Sequence, residues 1–222
     1  MLKKILQTLK NIPEALWDVY AVKNELLRDK ITQQQWTEFI GMAHTIGKKL
    51  ARETVEKYPQ KTVLDIFAAL GLDLARINDT PDRVNTVFAC YIEPKRIEIY
   101  EKNIRLACQV LRNENCENLL DDCALEDVLL AHELFHYIAY TMPELAINQK
   151  LVTLWHIGSF KYCSRIRTIS EIAAMEFTRE FLQLTYAPYI LDVLFLYSSD
   201  RDRAIQLYEY ITKIEVPKAE RS

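Results

Sequence analysis

The stretch Ala131-His132-Glu133-Leu134-Phe135-His136-Tyr137 decides how this chain is read. Around it Leu125, Val128, Leu129 and Phe135 recur at helical spacing, and Pro143 stands beyond the end, so the pattern predicts a helix. Residues four apart on a helix lie one above the other on one face. His132 and His136 would therefore offer two imidazole nitrogens to one metal ion. Glu133 points about 100° further round the axis, from where it reaches a water held at that metal. His-Glu-x-x-His is the pattern of a zinc site whose general base sits beside the first ligand. The competing reading is a core helix with two hydrogen-bonded histidines and a surface glutamate. A third ligand and a cleft must decide between them.

The totals narrow the choices. The chain has 222 residues, half of them hydrophobic, which suits one domain with a large core. With only four glycines and long stretches between turns, a mostly helical protein is expected. A net charge of −3 lacks the basic footprint of a nucleic-acid binder, so no nucleic-acid partner is expected. The five cysteines, Cys90, Cys108, Cys116, Cys123 and Cys163, form no CxxC and no framework spacing. They read as reduced thiols of a cytoplasmic protein. Cys116 and Cys123 would be the pair for a soft metal site, less well supported than histidine and carboxylate. The basic N-terminus is not followed by an apolar run of signal length. Residues 186–197, the most apolar later stretch, are broken by Pro188 and Asp192 and are too short to span a bilayer. Neither export nor a membrane partner is expected.

Along the chain, Leu2, Ile5, Leu6 and Leu9 give an amphipathic helix that Pro13 closes or restarts, and Leu16, Val19, Tyr20, Val22, Leu26 and Leu27 continue the helical pattern. Thr32 and Gln35 have capping-box spacing and open a longer helix that stops before Pro59. His44, inside it, reads as a packed or surface histidine rather than a ligand. Thr62 opens a further helix, ended by Gly71. The period then becomes two: a short strand through Leu72, Leu74 and Ile77, and a hairpin of residues 86–91 and Arg96–Tyr100 about Glu93-Pro94-Lys95. Helix returns from Ile104 to Leu111. Residues 112–122 read as a polar loop in which Asp121 or Asp122 caps the histidine helix. Residues 145–169 carry no decisive pattern. A second helix begins at about Ser170 and runs to about Tyr186, and a last one spans 201–214. The organisation expected is an N-terminal helical extension (1–60), a core (61–190) and a C-terminal helix and tail (191–222), together in one compact unit.

Catalytic zinc takes three protein ligands and a water. The metzincin pattern would put Gly and His three and six residues after His136, where Ala139 and Met142 stand. The gluzincin alternative takes a glutamate from a later helix, which Glu171 or Glu176 would supply; His156 is the fallback. At these residues the chain resembles the ImmA/IrrE-type metallopeptidases, a compact gluzincin group. Their signature joins His-Glu-x-x-His to Glu-x-x-Ala-(Asn)-x-Phe-(Ala)-x-x-Leu-Leu, and Glu171, Ala174, Phe177 and Phe181-Leu182 stand at the matching offsets. The resemblance covers about residues 50–188. It implies an α+β, mostly helical fold with a zincin-like core, a small antiparallel sheet and extra N- and C-terminal helices. It also implies Zn²⁺ held by His132, His136 and Glu171, Glu133 as general base, and a peptide or protein substrate. Phe135 stands where the family commonly has Gly, Tyr140 where a further His is frequent, and Met175 where Asn is usual.

Such a mechanism needs a second donor for the developing oxyanion. Tyr140, His156 and Tyr162 are candidates, each with packing as the alternative. Strand Arg96–Tyr100 could offer its edge to an extended peptide, or simply cover the core. Two readings compete with a peptidase: a non-catalytic regulatory or binding module on the same fold, and a helical structural protein with a chance motif. The N-terminal helices could dock a partner or occlude the cleft.

Overall fold

The computed structural model describes residues 1–78, 87–120, 124–157 and 160–216, with backbone alone for 152–157 and 160–163. Helix α1 (Leu2–Lys10) turns Leu2, Ile5, Leu6 and Leu9 inward. Pro13 precedes α2 (Glu14–Lys23), which stops before Leu26; that side chain is 95 % exposed, so the apolar pattern runs on past the helix. Helix α3 (Gln33–Lys57) opens on a true capping box: Gln35 N–H donates to Thr32 Oγ1, and Thr32 N–H donates to Gln35 Oε1. Thr62 and Asp65 repeat the device at α4 (Val63–Leu70). Gly71, at φ 65°, closes that helix in the left-handed region where a side chain would be strained.

Three strands follow: β1 (Asp73–Ile77), β2 (Ala89–Ile92) and β3 (Arg96–Tyr100), in the order β1-β3-β2. β2 and β3 form the expected antiparallel hairpin, but β1 runs parallel to β3. The sheet is therefore mixed, which corrects the antiparallel sheet expected. Alternation tells which face of a strand is buried and says nothing of its neighbour's direction. β3 is also central, with Ile97 and Ile99 fully buried and both sides paired, so it has no edge to offer. The edge strands of the sheet are β1 and β2.

Helix α5 (Glu101–Asn113) takes Arg112 and Asn113 from the expected loop, and a single 3₁₀ turn, Glu117–Leu119, follows. Asp121 and Asp122 lie outside the described residues; the N-cap of α6 (Leu125–Thr141) is Ala124, which makes no side-chain cap bond. In the stretch that the sequence left unread, β4 (Leu151–Ile157) and β5 (Phe160–Arg165) pair as an antiparallel ribbon. Helices α7 (Arg167–Leu182), α8 (Ile190–Ser199) and α9 (Arg201–Thr212) complete the chain. The fold is α+β and mostly helical. No helix among the described residues is long and apolar enough to cross a membrane.

One cluster of buried apolar side chains runs from Leu2 to Ile214. At its centre α7 packs between α3 and α6. The approach of α3 is close at Gly47: a Cβ there would lie 2.5 Å from the carbonyl oxygen of Ala173 and 2.9 Å from Glu176 Cβ. On the other side Phe135 of α6 meets Phe177 of α7, ring centroids 5.7 Å apart, and both are fully buried. Phe135 thus fills the seam between the two helices that carry the candidate site.

Candidate metal centre

Two helices place the three candidate ligands. His132 and His136 leave one face of α6 with their Nε2 atoms 3.0 Å apart. Glu171, in the second turn of α7, brings Oε2 to 3.2 Å from His132 Nε2 and Oε1 to 3.6 Å from His136 Nε2. Donors bound at ordinary zinc distances in a tetrahedron lie about 3.3 Å apart, and the three separations bracket that value. A tetrahedral ion with one open position therefore fits the donor set, and the three residues form a group able to hold a metal. The start of α7 is fixed by buried Glu25, whose Oε2 accepts the Thr168 N–H at 3.2 Å; a carboxylate there also suits the positive end of the helix.

The protonation states of His136 and Glu171 suit ligation; burial acts to lower His132, but the hydrogen bond and charge of Glu171 raise it, so a metal would have to displace its Nε2 proton. Burial, and then the charge on His132, push His136 down to about 4, so its imidazole is neutral near pH 7. Burial works to raise Glu171, but the hydrogen bond and charge of His132, with smaller contributions from His136 and Arg167, hold it down at about 2. A metal needs an ionised carboxylate and an imidazole nitrogen free of its proton.

Glu133 leaves α6 on the adjacent face and is buried. Its Oε2 accepts the backbone N–H of Tyr91 at 2.7 Å. Burial raises its pKa, while the charge on His132 and the Tyr91 hydrogen bond act against that. The pairing of β2 explains why Tyr91 can reach it. Tyr100 N–H donates to Phe88 C=O, and Cys90 and Ile92 fall in register with that pair. Ala89 and Tyr91 therefore turn their backbone groups to the open edge. That edge borders a cleft of about 730 Å³, lined by Ala89 and Tyr91 together with Tyr140, Asn148, Arg165 and Arg167.

Tyr140 is 44 % exposed, with its ring 6.0 Å from that of Tyr91. His156 and Tyr162 lie on β4 and β5, where side chains are outside the described residues. Cys116 is buried with a free thiol, and Cys123 is outside the described residues.

Glu176, the alternative third ligand, turns away from the histidine pair. Its Oε2 lies 2.9 Å from His44 Nδ1, and its Oε1 accepts from Arg179 at 2.7 Å, with Lys48 Nζ 3.4 Å away. His44 Nε2 meets Asp18 Oδ1 at 2.9 Å, and Glu14 lies 3.1 Å from Nδ1. Glu14, His44 and Glu176 also converge closely enough for a metal. However, both ring nitrogens of His44 face carboxylates, so both donate and the ring is an imidazolium. Burial acts to lower its pKa, but the hydrogen bonds to Asp18 and Glu176 outweigh it and raise the pKa to about 9. This cluster is an ion-pair lock joining α2, α3 and α7. The packed reading of His44 stands, with partners that no local pattern announces.

The sequence reading also passed over Asp192, treating it only as an interruption of an apolar stretch. Tyr20 donates to its Oδ2 at 2.9 Å, and it lines a second cavity together with His132 and Glu133. Burial lifts its carboxyl to about 6, opposed by the Tyr20 hydrogen bond and the charge on His132. A lone acidic residue inside an apolar segment was the signal available.

Fold and site together define a mostly helical α+β protein with a three-donor group able to hold a metal beside a buried glutamate. Compared with protein-family models, with curated proteins and with solved structures, the chain matches none.

Proposed function

We propose that this chain is a zinc-dependent peptidase of the compact gluzincin kind, acting on a peptide or protein substrate. The observation that carries the reading is the convergence of His132, His136 and Glu171 at near-tetrahedral spacing, with Glu133 held beside them in a cleft. The sequence resemblance to the ImmA/IrrE-type metallopeptidases supports the same ligand set and a zincin-like core.

When bound, zinc supplies Lewis-acid polarisation and brings water toward neutral pKa. Glu133 takes the proton of the attacking water and delivers it to the leaving amine. Its burial favours this exchange, because a carboxylate of raised pKa both accepts and returns a proton. The Tyr91 N–H holds one oxygen of Glu133 so that the other faces the cleft. An extended peptide adds to β2, where Ala89 turns its N–H and C=O toward the cleft. Tyr140, which lines the same cleft, is the candidate oxyanion donor. The free thiols of Cys108 and Cys116 support a reducing, cytoplasmic setting.

Two measurements test this. Purified protein supplied with zinc should retain about one equivalent by elemental analysis, and Glu171→Ala should lose it. Wild type should cleave members of a peptide library that Glu133→Gln leaves intact. Absence of zinc overturns the reading. Zinc retained with wild type as inert as Glu133→Gln replaces it with a non-catalytic metal-binding regulatory module.

A further inference from the structure

We propose that Asp192, held by Tyr20, is the positioning carboxylate for His132, so that α2 and α8 take part in metal binding although neither carries a ligand. The inference rests on the zinc reading above. His132 directs Nε2 at His136 and Glu171, which leaves Nδ1 on the far side of the ring. Among the described residues Nδ1 has no hydrogen-bond partner. Besides the main cleft, His132 lines a cavity of about 310 Å³ whose walls are mostly apolar, including Val128, Leu129, Met175, Leu191 and Phe195. Asp192 is its acidic group apart from Glu133, which is engaged with Tyr91.

A carboxylate in an apolar cavity is costly unless something uses it. Tyr20, buried in α2 and packed edge-on to Trp17 and Tyr189, holds one oxygen of Asp192 and so fixes where the other points. A histidine that binds metal through Nε2 is oriented by what its Nδ1–H donates to, and a carboxylate also raises its basicity. Asp192 supplies that group to His132 across the cavity the two share.

The test uses the full chain and Zn²⁺ alone, with affinity read by competition against a chromophoric chelator. Asp192→Asn should weaken zinc binding by about 10- to 100-fold. Tyr20→Phe, which removes a single neutral donor, should weaken it by about 2- to 10-fold, and Asp192→Glu should restore part of the loss. A merely structural role would lower the melting temperature of the metal-free protein in step with affinity. The proposal instead expects Asp192→Asn to leave that temperature unchanged or raised, because it removes a charge from an apolar cavity. In nitrogen-15 spectra of the zinc-loaded protein, the His132 Nδ1–H signal should be protected in wild type and exchange-broadened in Asp192→Asn. Wild-type zinc affinity in both Asp192→Asn and Tyr20→Phe overturns the proposal while leaving the zinc site standing. Failure of the wild type itself to bind zinc overturns the zinc reading and this one with it. If Asp192→Asn does not fold, Tyr20→Phe with undiminished affinity is enough to overturn it.

Discussion

The backbone N–H of Tyr91 and the carboxylate of Glu133 are joined over 2.7 Å, so the β2 edge of the sheet and the group beside the candidate metal ligands form one unit. The bond comes from the main chain, and it can be removed without breaking the ladder because Tyr91 N–H points away from β3. Tyr91→Pro should therefore leave the protein folded but slow turnover by about 10- to 100-fold, the worth of a hydrogen bond to a charged group. Tyr91→Ala, which keeps the N–H and loses the ring, is the control and should retain more kcat. Equal kcat in the two variants would show that the N–H does nothing for turnover.

Phe135 stands where the resembling family commonly has glycine, and it fills the seam against Phe177. Truncation should be expensive on both counts: lost burial and a cavity between two helices. Phe135→Ala should cost about 3–5 kcal/mol in urea unfolding. It should also weaken zinc binding, since α6 and α7 carry the ligands on either side of that seam.

Gly47 sets two effects against each other. Alanine would gain about 1 kcal/mol in helix propensity. Its Cβ would also sit 2.5 Å from a backbone oxygen of α7, which cannot rotate out of the way as a flexible side chain can. The clash should win, with a net loss of about 1–3 kcal/mol for Gly47→Ala. Unchanged or raised stability would mean that α3 and α7 separate easily.

The His44 lock makes stability depend on pH in a defined direction. His44 is raised from 6.5 to about 9, so its contribution is full below 6.5 and is lost as pH climbs through 9. Glu176 is lowered from 4.5 to about 2: burial acts to raise it, but the hydrogen bond from His44 and the charge of Arg179 prevail. Its contribution is present above 4.5 and is lost as pH falls through 2. Unfolding free energy from urea titrations at pH 6, 7.5 and 9.5 should fall across the series in wild type. In His44→Gln the fall should be much smaller; parallel curves would remove His44 from the explanation.

What could be read from the sequence was local. Thr32 with Gln35, Thr62 with Asp65, and Gly71 announce helix ends within four residues, and the structure uses all of them. His132 and His136 were legible because a helix fixes their relation. Glu171 entered through a resemblance of spacing, since nothing near Ser170 says which of its faces meets α6. The parallel pairing of β1 with β3 was not legible, because period two is the same for either direction. The ribbon of β4 and β5 went unread although Gly158-Ser159, a two-residue hairpin signal, stands between the two strands in sequence. Leu26 was misleading: its apolarity continues the helical period, yet α2 has ended and the side chain faces water. Asp192 and the His44 lock were hidden for a different reason. Their partners are separated by 172 and 132 residues, and only the packed helices bring them together.

Those separations also have a meaning in time. During synthesis α2 and α3 emerge well before Glu176 and Asp192. Glu25 waits across 143 residues for the amide of Thr168. Until α7 arrives, the face of α3 around Gly47 lacks the helix it packs against, and such long-range closures are slow and prone to wrong association. The His-Glu-x-x-His helix is complete well before its third donor exists. A metal met on the nascent chain would thus find two of the three candidate donors in place, and the full set waits for α7.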